Sequence, residues 1–216
     1  MKTETSTLLR KSLLASASAV VLAVSPLVPA AQAVVPNDNY TPDDIVDDAV
    51  DITGVGMFYR ADGFVCTGTL INPRAVLFAA HCVNDVSEAD WGSNLPAAFS
   101  FGANALPGFQ SWVGGGFATD LSSSVYNISQ IAWNPASVAN PGALGFLEGD
   151  IAMATLDTPA ADIPTWALLF SALPAPTQDP VAGTGYHVKL NGYGATGNGT
   201  TGASLGIDWR RKAAEN

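Results

Sequence analysis

Short apolar runs separated by turn-forming residues dominate the sequence after residue 53. Runs typical of β-strands cover residues 54–60, 64–72 and 75–80. The separators at 61–63 and 72–74 contain Asp, Gly, Asn and Pro, which tight turns favour. This alternation of strand and turn predicts a meander of β-hairpins.

Strand-like runs continue along the rest of the chain with a weaker pattern. The clearest cover residues 98–101, 125–133, 150–156 and 186–193. Only residues 209–215 have a helical composition, and the sequence shows no long amphipathic helix, repeat or heptad. Many short strands with turn residues between them predict an all-β fold, either a barrel or a sandwich.

The first thirty-three residues have the three parts of a secretory signal peptide. Lys2, Arg10 and Lys11 give a basic start, residues 13–28 are apolar, and residues 31–33 form a small-x-small cleavage site. The alternative, a membrane anchor, is disfavoured because serines and prolines interrupt the apolar run. No later segment of the sequence is apolar over a membrane-spanning length. We therefore expect a bacterial protein that is secreted, periplasmic or at the cell surface.

The charge balance is strongly acidic, with 19 acidic and 9 basic residues and a net charge of −10. Removing residues 1–33 leaves 9 − 3 = 6 basic and 19 − 1 = 18 acidic residues, a net charge of −12. Such a surface repels nucleic acid and anionic lipid, so neither is an expected partner. Residues 34–53 carry six aspartates and no Lys or Arg. We expect this acidic lead-in to lie along the surface or to be mobile.

The chain has two cysteines, Cys66 and Cys82. In an exported protein, the simplest expectation is that they pair with each other. A thiol nucleophile at Cys82 with His81 as its base is the alternative, but adjacent positions at a strand end point apart. A zinc site is also disfavoured, because the two cysteines and two histidines lack a recognisable ligand spacing.

Two polar residues stand at the ends of apolar strands, where catalysis is possible. His81 follows a buried run, so the fold would hold its backbone while the ring reaches the surface, as a general base requires. The alternative is an ordinary, partly exposed loop histidine. Asp150 opens an apolar run and needs a partner, although a turn or cap role is the commoner one for a lone aspartate. Asp85, Asp120 and Asp157 keep that turn or cap interpretation, since none opens an apolar strand.

Three segments together resemble the trypsin-like (chymotrypsin-fold) serine proteases. Residues 66–82, CTGTLINPRAVLFAAHC, resemble the histidine region of that family, and residues 149–156, GDIAMATL, resemble its aspartate segment. Residues 188–194, VKLNGYG, are similar to a family strand that ends in Gly-aromatic-Gly. The resemblance implies two β-barrels and a disulfide between the two cysteines. It also implies that His81 is the base and Asp150 the residue that orients it.

The sequence departs from the family pattern in two places. The gap between His81 and Asp150 is 150 − 81 = 69 residues, against about forty-five in the family template. We therefore expect an insertion, placed at residues 102–121. No Gly-Asp-Ser-Gly-Gly occurs, and neither Ser171 nor Ser204 has glycines beside it to form an oxyanion hole. The nucleophilic serine is therefore expected to be absent, as in an N-terminal fragment with a complete first barrel and a truncated second barrel.

These inferences predict a serine endopeptidase domain at residues 54–216 that acts on protein or peptide substrates and needs no metal or organic cofactor. The rival from another class is a non-catalytic binding or adhesion module that keeps the protease fold. An unrelated all-β domain is a third possibility, disfavoured by the match between the cysteines. His187 shares the strand parity of Lys189 and is expected to face solvent.

Overall fold

Six antiparallel strands close into a β-barrel in the order β1-β2-β3-β6-β5-β4. The computed structural model describes residues 34–92, 94–138, 149–173, 186 and 188–215. The barrel strands are β1 (Ile52–Arg60), β2 (Val65–Asn72), β3 (Ala75–Phe78), β4 (Ala97–Gly102), β5 (Val125–Trp133) and β6 (Ala152–Leu156). The predicted all-β fold with a complete first barrel is confirmed. Several strand ends differ from the predicted ones by one to three residues, and two of these lie beside the predicted site: β3 ends at Phe78 and β6 begins at Ala152.

Aromatic rings fill the inside of the barrel. Phe58, Phe78 and Phe99 come from three different strands and are all buried. Their ring centroids lie 5.3 to 5.5 Å apart, with tilted or edge-to-face planes, which is the geometry that aromatic pairs prefer. Leu70 and Val76 complete this layer. Burial of each large apolar side chain contributes about 2 kcal/mol, so the barrel is a rigid support for residues at its ends.

A nine-residue helix, α1 (Leu106–Gly114), lies in the insertion expected at residues 102–121. The sequence analysis did not predict it, because Pro107 and Gly108 lower the intrinsic helix propensity. The helix is stabilised by packing instead: Phe109 and Trp112 are buried in a second apolar cluster on the outside of the barrel. Tertiary contacts of this kind supply most helical stability in proteins.

A second, two-stranded antiparallel sheet joins β7 (Lys189–Gly192) to β8 (Lys212–Glu215). The helical interpretation of residues 209–215 is therefore wrong. Ala214 pairs with Leu190 across this sheet, and Arg211 and Lys212 are fully buried. Pairing with a distant strand and burial of two charges override the local helical composition.

The acidic lead-in is bound to the end of the described chain. The Arg211 guanidinium donates to the Asp47 carboxylate over 3.0 Å, and also to the carbonyls of Val50 and Asp51. Arg210 pairs with Asp43. The lead-in residues 43–51 therefore pack as part of the folded domain.

Two expectations concern residues outside those described. The proposed signal peptide, residues 1–33, is one, and its assignment stays a prediction. The orientation of His187 is the other. Among the residues that the structure does describe, no helix has both the length and the apolar character needed to cross a membrane.

Candidate active site

The strand register brings the two predicted site residues to one end of the barrel. Strands β3 and β6 are antiparallel, with Phe78 opposite Ala152. His81 lies three residues after Phe78, and Asp150 lies two residues before Ala152. Because both strands meet the same edge of the barrel, the two side chains emerge next to each other.

A short 3₁₀ helix, Ala80–Cys82, presents His81. Backbone N–H groups of Val83 and Asn84 donate to the Ala80 carbonyl over 2.9 and 2.8 Å and close this turn. The structure joins Cys82 to Cys66 of β2 in a disulfide, with the two Cα atoms 6.4 Å apart. Since Cys82 is buried while His81 is exposed, the turn is fixed on its inner side and the imidazole faces outward.

A tight backbone turn sets the position of Asp150. Gly149 has a positive φ of 61°, a conformation that glycine adopts without strain. The Ile151 N–H donates to the Gly149 carbonyl over 2.7 Å, and the Ile151 carbonyl accepts from Asn134 N–H over 3.1 Å. These bonds fix the backbone on the C-terminal side of Asp150 just before β6 begins.

The Asp150 carboxylate binds His81 at two points. Its Oδ2 lies 2.7 Å from His81 Nδ1, and its Oδ1 accepts from the His81 backbone N–H over 2.8 Å. The Asp150 side chain is 28% exposed and the His81 side chain 41% exposed. A hydrogen bond from Nδ1–H to the carboxylate places the unprotonated lone pair on Nε2.

The free nitrogen of His81 is available to a reacting group. Among the described residues, none forms a hydrogen bond with His81 Nε2. An imidazole oriented through Nδ1, with an exposed Nε2, can take a proton from a hydroxyl group and stabilise its own charge against the carboxylate. The pair can therefore act as a general base and then as a general acid.

Among the described residues, neither serine that the sequence analysis considered bonds to the pair. Ser171 and Ser204 are both exposed, and neither bonds to His81. The three aspartates given turn or cap interpretations have local partners. Asp120 accepts hydrogen bonds from three serines, Asp157 accepts from Thr119, and Asp85 pairs with Arg60.

The sulfur atoms of the two cysteines and a ring nitrogen of His81 lie within 4.8 Å of one another. The sulfurs are bonded to each other, so they are not thiolates that could bind a metal. The disulfide also occupies the thiol that a Cys82 nucleophile would need. Both alternatives for this cluster are therefore excluded in the described structure.

A cavity of about 360 Å³ lies away from the pair, lined in part by Phe117, Asn127, Ile128 and Asp157. Asp157 follows the C-terminal end of β6, whereas Asp150 precedes its N-terminal end. The cavity lining includes neither His81 nor Asp150, so this cavity is not the site of the predicted chemistry.

Arg60 is the residue near this site that sequence reasoning missed. It ends β1, is 4% exposed, and donates to the carbonyl of Cys82, the residue after His81. A buried arginine at the end of an apolar strand is unusual unless it is paired. Its position in the sequence could therefore have indicated that Arg60 has acidic partners. Its partners, Asp62 and Asp85, lie in loops and gave no pattern of their own.

A closed β-barrel with a paired histidine and aspartate at its edge is the arrangement found in chymotrypsin-like proteases. A family model described as Trypsin matches residues 51–205, and the chain belongs to the trypsin family. This membership gives it a serine-protease-type function with peptides or proteins as substrates. No curated protein matches the sequence.

Proposed function

We propose that this protein supplies the histidine and aspartate of a serine endopeptidase. The observation that carries the proposal is the two-point bond between Asp150 and His81, which leaves Nε2 without a hydrogen bond among the described residues. Asp150 orients the imidazole and stabilises its charged form, and His81 moves the protons. Family membership supports the same roles.

The reaction uses a serine that lies outside these 216 residues, since no Gly-Asp-Ser-Gly-Gly occurs among them. His81 Nε2 takes the proton of that hydroxyl while its oxygen attacks the peptide carbonyl carbon. The carbon–nitrogen bond then breaks, and the imidazolium returns the proton to the leaving amine. Water, activated by the same nitrogen, hydrolyses the acyl-enzyme and restores the serine.

We also propose that the protein acts after export. Residues 1–33 have the pattern of a signal peptide, and the remaining chain is acidic and contains a disulfide, which suits an oxidising compartment. N-terminal sequencing of the protein recovered outside the cytoplasm should give Val34 as the first residue. A protein that retains Met1 would contradict export by this route.

Labelling with a fluorophosphonate probe tests the catalytic proposal. The probe reacts with an activated serine, so the 216-residue chain should not be labelled, whereas the product of the gene read past codon 216 should be. In that longer product, His81→Gln should abolish labelling. His187→Gln is the matched control, because it removes the second histidine and should leave labelling intact.

Two labelling results would contradict parts of this proposal. Labelling of a serine within residues 1–216 would overturn the placement of the nucleophile. A longer product that folds but is never labelled would overturn the catalytic proposal and favour the binding or adhesion module.

A further inference from the structure

Arg60 uses every hydrogen-bond donor that its guanidinium has. Nε and Nη2 donate to the Asp62 carboxylate, and Nη1 and Nη2 donate to the Asp85 carboxylate over 2.7 and 3.1 Å. The fifth donor, on Nη1, reaches the Cys82 carbonyl over 3.1 Å. An arginine has five N–H donors, and here all five are bonded to protein oxygens.

The surroundings of Arg60 hold the guanidinium in place. Its side chain is 5% exposed, and its Cζ lies 5.0 Å from the Phe64 ring centroid and 5.7 Å from that of Trp91. Such cation–π contacts stabilise a partly desolvated guanidinium. Burial lowers the pKa of Arg60, but the hydrogen bonds and charges of Asp62 and Asp85 outweigh burial, and its pKa is raised. The side chain is therefore a permanently charged, fixed connector.

The connector joins the barrel to the loop that carries His81. Arg60 and Asp62 belong to the hairpin between β1 and β2, whereas Cys82 and Asp85 belong to the segment that follows His81. Within that segment, the disulfide fixes the Cys82 side chain, and Asn84 Nδ2 donates to Ser137. A disulfide still allows rotation of the attached backbone, and the bond to the Cys82 carbonyl limits that rotation.

We propose that Arg60 is a positioning residue that keeps His81 aligned with Asp150, a role that rests on the proposed function of that pair. The bond to the Cys82 carbonyl sets the orientation of the peptide directly after His81. The pair of bonds to Asp85 fixes the end of the same turn. A displacement of about 1 Å at a catalytic group can cost a hundredfold in rate, so a rigid support at this point has a direct functional value.

Nitrogen-15 NMR of the 216-residue chain tests this role without substrate or serine. The two ring nitrogens of His81 differ in chemical shift as long as the Nδ1–H tautomer is held by Asp150. The chain has two histidines, so His187→Gln assigns the signals. In Arg60→Met, we expect the difference between the two nitrogens to shrink toward that of a tautomer mixture.

Two pairs of variants separate positioning from general stability. Arg74→Met removes another partly bonded arginine, which contacts the carbonyls of Leu156 and Asp157, and should leave the His81 signals unchanged. Asp85→Asn weakens the bonds between Arg60 and the His81 loop and should change the His81 nitrogen shifts. Asp62→Asn weakens the bonds of Arg60 within the hairpin between β1 and β2 and should change the His81 shifts less. Arg60→Lys should preserve the difference between the two His81 nitrogen shifts only in part. Its ammonium keeps the charge but cannot form both bidentate pairs.

The results separate this proposal from the catalytic one. A folded Arg60→Met chain with wild-type His81 signals would overturn the positioning role. If Arg60→Met fails to fold by circular dichroism, the Asp85→Asn and Asp62→Asn pair decides, and equal effects of the two would overturn it. Absence of fluorophosphonate labelling in the longer product would overturn the catalytic proposal but leave the His81 signals of the 216-residue chain interpretable. In an active longer product, Arg60→Met should lower kcat by about tenfold to a hundredfold with KM little changed.

Discussion

Asp150 holds His81 by its backbone and by its ring at once, with one carboxylate oxygen for each. The distances are 2.8 Å to the backbone N–H and 2.7 Å to Nδ1. An interaction with the ring alone would leave the imidazole free to move with its loop. With both bonds, the carboxylate fixes the position of the residue and the tautomer of its ring together.

Replacement of Asp150 by Asn should therefore disturb both the position of His81 and the tautomer of its ring. The amide offers one oxygen in place of two, and its NH₂ group would favour the wrong tautomer of His81. We expect the nitrogen-15 shifts to report a tautomer mixture, and kcat of an active longer product to fall about 10⁴-fold. Asp157→Asn, at the other end of β6, is the matched control. Unchanged His81 signals in Asp150→Asn would show that the pair is not what orients the ring.

The disulfide should contribute measurably to stability. It links residues sixteen positions apart, and closing a loop of this size stabilises by about 3 kcal/mol in the chain-entropy model. The double variant Cys66→Ala, Cys82→Ala should lower the free energy of unfolding by about that amount, measured by urea denaturation. Reduction of the wild-type protein should have the same effect. An unchanged urea midpoint after reduction would mean that the bond is absent or without effect.

Two neighbouring arginines should differ sharply in their contribution to stability. The Arg211 side chain is fully buried and binds Asp47, whereas the Arg210 side chain is 36% exposed and binds the exposed Asp43. Arg211→Met removes the closest side-chain partner of the partly buried Asp47 carboxylate and a donor from the carbonyls of Asp47, Val50 and Asp51, at a cost of about 3–5 kcal/mol. Arg210→Met should cost at most about 1 kcal/mol. Equal urea midpoints for the two variants would contradict the docking of the lead-in.

Tyr193 should make the protein sensitive to alkaline pH. Burial raises the pKa of its phenol from 10.0 to about 12, against the opposing charge of Arg211, and its hydroxyl donates to the Gly102 carbonyl over 2.7 Å. A phenol that keeps its proton longer in the folded state contributes stability that is complete below pH 10. That contribution is lost as the pH rises from 10 to about 12.

The comparison of wild type with Tyr193→Phe measures this effect. Urea denaturation at increasing pH should show a steeper loss of stability in the wild type than in the variant. Near neutral pH, the variant should be less stable by about 1 kcal/mol, because one buried hydrogen bond is gone. Parallel pH curves for the two proteins would show that Tyr193 is not the titrating group.

The barrel was predictable because its signals are local. Apolar runs and the turns at residues 61–63 and 72–74 define the first three strands, and the sequence alone placed β5 at its observed bounds. The two candidate site residues stood out because each lies at the end of such a run. Their contact depends on the register of β3 and β6, which the sequence suggested only through resemblance to a family.

The remaining features depend on contacts between distant residues. Helix α1 contains Pro107 and Gly108 and exists because Phe109 and Trp112 pack on the barrel. Strand β8 exists because β7 pairs with it. The connector at Arg60 needs carboxylates from two loops, and nothing in either loop indicates a partner. Such elements are set by tertiary structure and leave little trace in local composition.

The bond between Asp47 and Arg211 spans 164 positions of the chain. During synthesis, the aspartate emerges long before the arginine that must cover it. Native contacts with such a wide sequence separation form late and slow the search for the final structure. The lead-in therefore stays without this partner until residue 211 has been made, and the contacts of residues 54–210 can form before it docks.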